Sequence, residues 1–274
     1  MKKYLSLIFI LVAALVLTGC EFDVESLTQA TNNSFVHSNI DYEDWTKITD
    51  GMEIKEIAVI SDLGLESDVV TAIKIEQDKF NFELVQESQA KSAFDWQEEL
   101  NALLVVNAAF FNESYLPTGY LKSSDGAEYG NAYMEGENGY TGAFIINDEG
   151  QVELRYLPTQ NYGLAELDGF EATLQTFPTL ILPGGVASII NDSSKTANRT
   201  VLAESKSGDF YIFLSQQNSL TLLEMQDFLL NFEDKLDIAI NLDGGTSSGV
   251  SIESGDFDYH LSSFYVPSVI AIYE

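Results

Sequence analysis

Alternating apolar and polar positions predict strands at the start of the folded region. Apolar side chains recur at alternate positions in 52–60 and 72–76, and the alternation continues through Phe80, Phe82 and Leu84. A two-residue period is typical of strands that bury one face. We therefore expect early antiparallel strands here.

The middle of the chain combines a short helix, a buried strand, a loop and a hairpin. The pattern in 92–100 predicts the helix, and the unbroken apolar run 103–106 predicts a strand buried on both faces. Strands at 142–146 and 152–156 flank the turn residues of 147–150, which predicts a hairpin. The glycine- and tyrosine-rich segment 119–142 has no regular period, and both a functional loop and a surface insertion fit it.

The C-terminal third predicts four more strands and a capped helix. Thr221 and Glu224 have the spacing of a capping box, with Leu220 and Met225 as a hydrophobic staple. The strands are expected at 200–204, 210–214, 237–242 and 266–273. No repeat or internal linker divides the chain, so we predict a single α+β domain at 45–274, with a mixed or mainly antiparallel sheet and a few packed helices.

The N-terminus predicts an export signal. Lys2 and Lys3 precede an uncharged apolar run, which ends at Leu-Thr-Gly-Cys with Cys20 as its last residue. This ending resembles a bacterial lipobox, so we interpret 1–19 as a lipoprotein signal peptide and Cys20 as the lipidated residue. An ordinary secretory signal with an incidental cysteine is the alternative.

A polar tether is predicted to follow the lipid anchor. Residues 20–44 contain few spaced apolar positions, which is typical of a solvated linker. We therefore expect an extracytoplasmic domain, lipid-anchored to the bacterial membrane. Cys20 is the only cysteine, so the exported domain must fold without a disulfide.

Composition and charge narrow the possible partners. The chain has 13 Lys plus Arg against 43 Asp plus Glu, which gives a net charge of −30. We do not expect nucleic-acid binding, because the sequence lacks the basic stripes that would neutralise phosphates. A hydrophobic fraction of 45% is that of a folded protein. An anionic membrane surface should repel a domain this acidic. We therefore expect only its lipid to hold it at the membrane.

Polar residues with candidate chemistry follow buried strands in three segments, 107–112, 198–200 and 241–248. In the last segment, Gly244 and Gly245 would let backbone N–H groups approach a ligand, while Asp243 offers an acceptor and Ser247 a hydroxyl. Taken alone, Asp-Gly-Gly is also a common turn.

Five motifs in order resemble the phosphodiester glycosidase family, over roughly 53–274. The family's Asn-Gly-Gly-Phe-Phe appears with both glycines replaced by alanine, and Asn-Leu-Asp-Gly-Gly-Thr-Ser is matched without a gap. The matching segments are 107–111, 175–180 with Gly184, 199–200, 241–247 and 266–270. Known activity in the family includes removal of N-acetylglucosamine from a sugar phosphodiester.

The resemblance implies hydrolysis of the glycosidic bond in a sugar-1-phosphodiester, of the N-acetylglucosamine type, on envelope or extracellular glycans. Arg199 would then hold the phosphate, and Asp243 would activate water or stabilise the cationic sugar. The remaining substrate-binding candidates are Asn107, Thr200, Asn241, Gly244, Gly245, Thr246 and Ser247. For Asn107 and Asn241, a purely structural role is the alternative. For the whole protein, the alternative is a non-catalytic glycan-binding envelope lipoprotein.

No cofactor or metal site is predicted, although a divalent cation stays open. His37 lies in the predicted tether, and His260 has no partner at ligand or triad spacing, so both are interpreted as surface or structural residues. The expected partners are thus a glycosyl phosphodiester or cell-envelope glycan, and the membrane through Cys20.

Overall fold

A computed structural model describes most of the predicted domain. The described residues are 44–60, 64–130, 140–157, 167–261 and 264–274. The predictions for the signal peptide, Cys20, His37, nearly all of the tether and residues 131–139 of the glycine-rich segment lie outside them. Within the described ranges, no helix has the length and apolar character needed to span a membrane.

The described residues form three antiparallel sheets. The first has eight strands, in the spatial order β1 (Thr46–Thr49), β2 (Met52–Ile60), β3 (Glu66–Ile75), β14 (Phe210–Ser215), β13 (Thr200–Ser205), β15 (Leu236–Asn241), β11 (Thr179–Leu182) and β12 (Val186–Ala187). The second has β7 (Glu128–Tyr129), β6 (Leu121–Lys122), β10 (Ala172–Thr176), β8 (Gly142–Ile146) and β9 (Val152–Tyr156). The third has β17 (Phe257–Leu261), β16 (Val250–Ser254), β5 (Leu104–Asn107), β18 (Val266–Tyr273) and β4 (Asn81–Lys91).

Two short α-helices cover outer sheet faces in the described part of the chain. Helix α1 (Ala93–Leu100) begins at the N-cap Ser92, and its Trp96 packs in a cluster with residues of β5 and β18. Helix α2 (Leu222–Leu230) has the predicted capping box of Thr221 and Glu224, and it packs on the outer face of the eight-stranded sheet. Single 3₁₀ turns occur at Gln77–Lys79 and Gly245–Ser247.

One shared core lies between the sheets. Alternate residues of all three sheets point into it and are almost completely buried, for example Ile73 and Ile240 from the first sheet, Phe144 from the second, and Val106 and Ile270 from the third. Burial of this much apolar surface is the main stabilising contribution to a fold without disulfides.

The predicted fold class was wrong. We expected an α+β domain with several packed helices, whereas the described residues are mostly β-structure with two α-helices of 8 and 9 residues. The physical reason is that the sheets cover one another's inner faces, so helices are needed only on outer sheet faces, and two of them cover these. Each predicted strand named above lies within or overlaps an observed one. A mixed or mainly antiparallel sheet was expected, and the described residues form three antiparallel sheets.

Candidate functional site

The ends of three strands bring the predicted site residues together. Asn107 ends β5, Thr200 begins β13, and Asp243 lies two residues after the end of β15. The Thr200 hydroxyl donates to Asn107 Oδ1 at 2.8 Å, and Asn107 Nδ2 donates to the Asp243 carbonyl at 2.8 Å. The Asp243 N–H donates to the Ala108 carbonyl at 3.2 Å. The three segments singled out by sequence thus meet at one place.

The side chains of Asn107 and Thr200 connect the three segments in the protein interior. Both side chains are fully buried, and Asn107 Oδ1 also accepts a hydrogen bond from the Gly249 N–H at 3.1 Å. All of these contacts are internal. They favour the structural role for Asn107, in which the amide fixes the loop that carries Asp243.

The carboxylate of Asp243 lies in a largely buried position. Burial raises its pKa to about 6, while hydrogen bonds from the Ser247 side chain and the Gly244 N–H act in the opposite direction. The Gly244 N–H donates to Asp243 Oδ1 at 2.9 Å. A carboxyl group with this pKa changes protonation close to neutral pH, which is the range in which a general base or acid operates.

The two glycines after Asp243 allow close packing against the start of β13. A Cβ on Gly244 would lie 2.7 Å from the Asn198 carbonyl oxygen, and Gly245 has a φ of +63°. The Gly245 N–H donates to the same Asn198 carbonyl at 2.7 Å. Both glycine N–H groups therefore have partners inside the protein, and Arg199 is left as the main candidate for binding an anion.

Arg199 and Asp243 lie at the same end of the β13–β15 pair. Arg199 directly precedes β13, and Asp243 lies two residues after the end of β15. The two strands are antiparallel neighbours whose register pairs Val201 with Asn241. The chain segments that carry the candidate cation and the candidate base are thus adjacent.

The Arg199 guanidinium is held by backbone carbonyls. Its Nε donates to Leu220 O at 3.1 Å, and its Nη2 donates to Lys195 O at 2.7 Å. Burial lowers the pKa of Arg199, but an arginine stays charged in proteins. Among the described residues, no acidic side chain forms an ion pair with it. The remaining N–H donors suit a bidentate contact with a phosphate.

Sequence reasoning missed Asp68, which fixes the loop beside Arg199. Its buried carboxylate accepts hydrogen bonds from the backbone N–H groups of Val69, Gln216, Gln217 and Ser219, at 2.8 to 3.2 Å, and from the Ser219 hydroxyl at 2.7 Å. This loop leads to Leu220, whose carbonyl holds the guanidinium. Nothing local in the sequence marked Asp68, because all of its partners except Val69 lie about 150 residues away.

The other candidates are distributed around Asp243. Asn241 Nδ2 donates to the carbonyls of Phe177 and Leu242, and Asn241 Oδ1 accepts no hydrogen bond from the described residues. Ser247 is mostly buried against the Asp243 carboxylate, whereas Thr246 is exposed. Thr246 is therefore the member of this group that a substrate reaches from solvent.

An aromatic stack borders the same loops. The ring centroids of Phe110 and Phe177 lie 4.5 Å apart, and Tyr140 packs on Phe177 at 4.6 Å. Phe177 is tied to the site because its carbonyl accepts from Asn241. The stack gives the region between β5 and β10 a partly exposed apolar border.

His260 has partners that the sequence did not suggest. Its Nδ1 lies 2.7 Å from Ser251 Oγ across the β16–β17 hairpin, and its Nε2 contacts Asp258 on the same strand, β17. Ser251 is fully buried and also donates to Gln97, so a substrate cannot reach its hydroxyl. The group is structural. Across the described residues, no cluster of three or more His, Cys, Asp or Glu side chains could hold a metal ion.

Comparison with protein families identifies one match. The model of the phosphodiester glycosidase family matches residues 100–273, well over half of the chain. The matched range includes Asn107, Arg199 and Asp243 and excludes Asp68. A comparison with curated proteins finds no significant match.

Solved structures share the fold. A hypothetical protein from Synechocystis is 15% identical with a TM-score of 0.64; the match covers 84% of this chain, which spans only 63% of the length of that protein. The catalytic domain of zebrafish N-acetylglucosamine-1-phosphodiester alpha-N-acetylglucosaminidase, auto-inhibited by its pro-peptide, is 14% identical with a TM-score of 0.61. That match covers 87% of this chain and 85% of the zebrafish chain.

Proposed function

Because the chain belongs to the phosphodiester glycosidase family, we propose that it is an enzyme that hydrolyses the glycosidic bond of a sugar-1-phosphodiester. The observation that carries the proposal is the placement of Arg199 and Asp243 at the same end of the antiparallel pair β13 and β15. One side chain supplies a fixed positive charge, and the other supplies a carboxyl group with a pKa of about 6.

The leaving group explains the need for a cation. Hydrolysis breaks the bond between the anomeric carbon and the phosphate oxygen, and that oxygen departs with the electron pair as part of a phosphate monoester. The sugar passes through an oxocarbenium-like transition state. Negative charge increases on the phosphate at the same time, and a guanidinium held by Leu220 and Lys195 stabilises it without having to reorganise.

Asp243 completes the reaction on the sugar side. In its ionised form, the carboxylate accepts a proton from water while the water oxygen bonds to the anomeric carbon. Its negative charge also stabilises the positive charge on the sugar ring. With a pKa of about 6, this ionised form predominates above that pH.

We further propose an N-acetylglucosamine-type sugar and a lipid-anchored location. The sugar is suggested by the name of the zebrafish structural neighbour. The location rests on the lipobox-like sequence that ends at Cys20. An anchored enzyme of this kind would act on envelope or extracellular glycans that contain sugar phosphates.

The test is hydrolysis of an N-acetylglucosamine-1-phosphodiester by the purified chain. We expect Asp243→Asn and Arg199→Ala each to lower kcat by about 10²- to 10³-fold, because each removes one electrostatic contribution to the transition state. Matched controls are Asp256→Asn, in the exposed β16–β17 turn, and Arg155→Ala, whose guanidinium pairs with Glu153 on β9. Both should retain activity.

The non-catalytic alternative gives a different result. A folded wild type that binds N-acetylglucosamine glycans but cleaves none of several sugar phosphodiesters would contradict the enzyme proposal. Equal activity in wild type and Asp243→Asn would contradict the assigned site while leaving the reaction class intact.

A further inference from the structure

Lys195 is a second cationic residue next to Arg199. Its backbone carbonyl accepts the hydrogen bond from Arg199 Nη2 at 2.7 Å, and its side chain is exposed. Within the described ranges, its ammonium group forms no ion pair. Because the guanidinium contacts the Lys195 backbone, an ammonium group on a flexible four-carbon side chain can reach a ligand that the guanidinium holds.

This absence of an acidic partner contrasts with the rest of the chain. The sequence has 13 Lys plus Arg against 43 Asp plus Glu, so a cationic side chain has many carboxylates available to it. Lys74 and Lys91, for example, each contact two carboxylates. Two neighbouring cations without carboxylate partners leave local positive charge for an anion in an otherwise acidic protein.

Backbone contacts fix the segment that carries both cations. The Leu220 carbonyl accepts hydrogen bonds from the Ala197 N–H at 3.2 Å and from Arg199 Nε at 3.1 Å. Leu220 ends the loop that the Asp68 carboxylate fixes. The backbone of Lys195 is therefore fixed relative to the guanidinium, while its side chain is free to turn toward a ligand.

We infer that Lys195 is a second catalytic cation, which contacts the phosphate leaving group together with Arg199. This inference rests on the proposed function and adds a residue to it. When the bond between the anomeric carbon and the phosphate oxygen breaks, the oxygen keeps the electron pair. The singly charged phosphodiester thereby becomes a phosphate monoester, which carries a second negative charge above a pKa of about 6. A second cation stabilises this additional charge in the transition state more than it stabilises the substrate.

The kinetic test uses N-acetylglucosamine-1-phosphate esterified to methanol. We expect Lys195→Ala to lower kcat about 10-fold with less than about a twofold change in KM, because the additional charge develops only as the bond breaks. Lys195→Arg should retain most of the activity. Lys235→Ala is the matched control, since it removes an exposed lysine without an ion pair in the described ranges, at the other end of β15.

Anion binding tests the same residue without turnover. At about pH 8, methyl phosphate carries two negative charges, as the leaving group does, whereas dimethyl phosphate carries one, as the substrate does. We expect Lys195→Ala to weaken the binding of methyl phosphate about 10-fold and that of dimethyl phosphate less than about twofold. Calorimetry on wild type, Lys195→Ala and Lys235→Ala measures the affinities, and Lys235→Ala should match wild type.

The two measurements separate this inference from the proposed function. If Lys195→Ala and Lys235→Ala have the same kcat on a substrate that wild type cleaves, Lys195 is not a catalytic cation, while the proposed hydrolysis stands. If wild type cleaves no sugar phosphodiester, the proposed function fails, and the calorimetry decides about Lys195 as an anion ligand. No methyl phosphate binding by wild type, or undiminished binding by Lys195→Ala, would overturn that role as well.

Discussion

Asp243 is a residue whose ionised form is disfavoured by its own surroundings. The carboxyl group is largely buried, and its charge is compensated by Ser247 and Gly244 only in part, so its pKa rises from 3.8 to about 6. A carboxyl group that holds its proton more tightly when folded than when unfolded makes stability depend on pH. The same property that suits Asp243 for proton transfer therefore weakens the fold at neutral pH.

Asp243→Asn should stabilise the protein at pH 7. Below about pH 4 the carboxyl group is protonated in both states and contributes no penalty, whereas between about 4 and 6 the unfolded state loses its proton first and stability falls. We expect the variant to exceed wild type in free energy of unfolding by up to about 3 kcal/mol at pH 7, and by little at pH 4. Urea titrations at both pH values measure this difference. A variant no more stable than wild type at pH 7 would contradict the placement of this carboxyl group.

Sequence reasoning located the candidate residues better than it separated their roles. Asp243 and Arg199 could be identified because they follow or begin buried strands in a recognisable motif. The position of Asn107 was found in the same way, but its internal role depends on contacts with Thr200 and Gly249, which the fold brings close. Asp68 could not be found at all, since its role depends on partners in a loop about 150 residues away.

At the scale of elements, a buried carboxylate fixes the loop between β14 and α2, and this loop in turn positions Arg199. The Asp68 carboxylate on β3 accepts hydrogen bonds from the backbone N–H groups of three loop residues, Gln216, Gln217 and Ser219. The next residues form the N-cap of α2 and supply the Leu220 carbonyl to Arg199. The Asp68 carboxylate thus connects β3 with this loop, with the N-terminus of α2 and, through the Leu220 carbonyl, with Arg199.

We expect Asp68→Asn to destabilise the fold by about 2–3 kcal/mol. The amide keeps one acceptor oxygen but turns an NH₂ group toward the N–H and hydroxyl of Ser219, which leaves buried donors without acceptors. Chemical denaturation measures the change. Asp192→Asn is the matched control, because that exposed side chain accepts one backbone hydrogen bond and should cost under about 0.5 kcal/mol. Equal effects of the two substitutions would argue against the role of Asp68.

The elements that could be predicted are those with a local pattern. Alternation marked β2, the capping box marked α2, and turn residues marked the β8–β9 hairpin. Strands β10 and β11 were missed because their residues are buried on both faces and show no alternation. Strands β16 and β17 were also missed; they follow the glycine-rich segment 241–248, which was considered only as a candidate site and turn. Without these four strands, the helices seemed to be a larger part of the fold than they are.

At the scale of the whole molecule, the acidic surface and the predicted anchor act in opposite directions. The net charge of −30 repels an anionic bilayer, and removal of Lys2 and Lys3 with the signal would make it −32. We propose that the acyl chains of Cys20 provide the stable attachment.

Cys20→Ser should therefore release the exported protein from the membrane. We expect the wild type to partition into the detergent phase in Triton X-114 separation and the variant to move to the aqueous phase, because the variant lacks the acyl chains proposed to hold the acidic domain at the membrane. Immunoblots of the two phases measure the distribution. If the variant stays in the detergent phase, attachment does not depend on Cys20; if wild type is aqueous, the lipobox interpretation is wrong.

The position of β18 has a consequence for the timing of folding. This strand is an inner member of the third sheet and pairs with both β4 and β5, which are far away in sequence. Contacts between segments so distant form slowly, and this sheet cannot close before residues 266–273 have been synthesised. Throughout most of its translation the chain is thus an incomplete β-protein, a state that is compatible with the export that we propose.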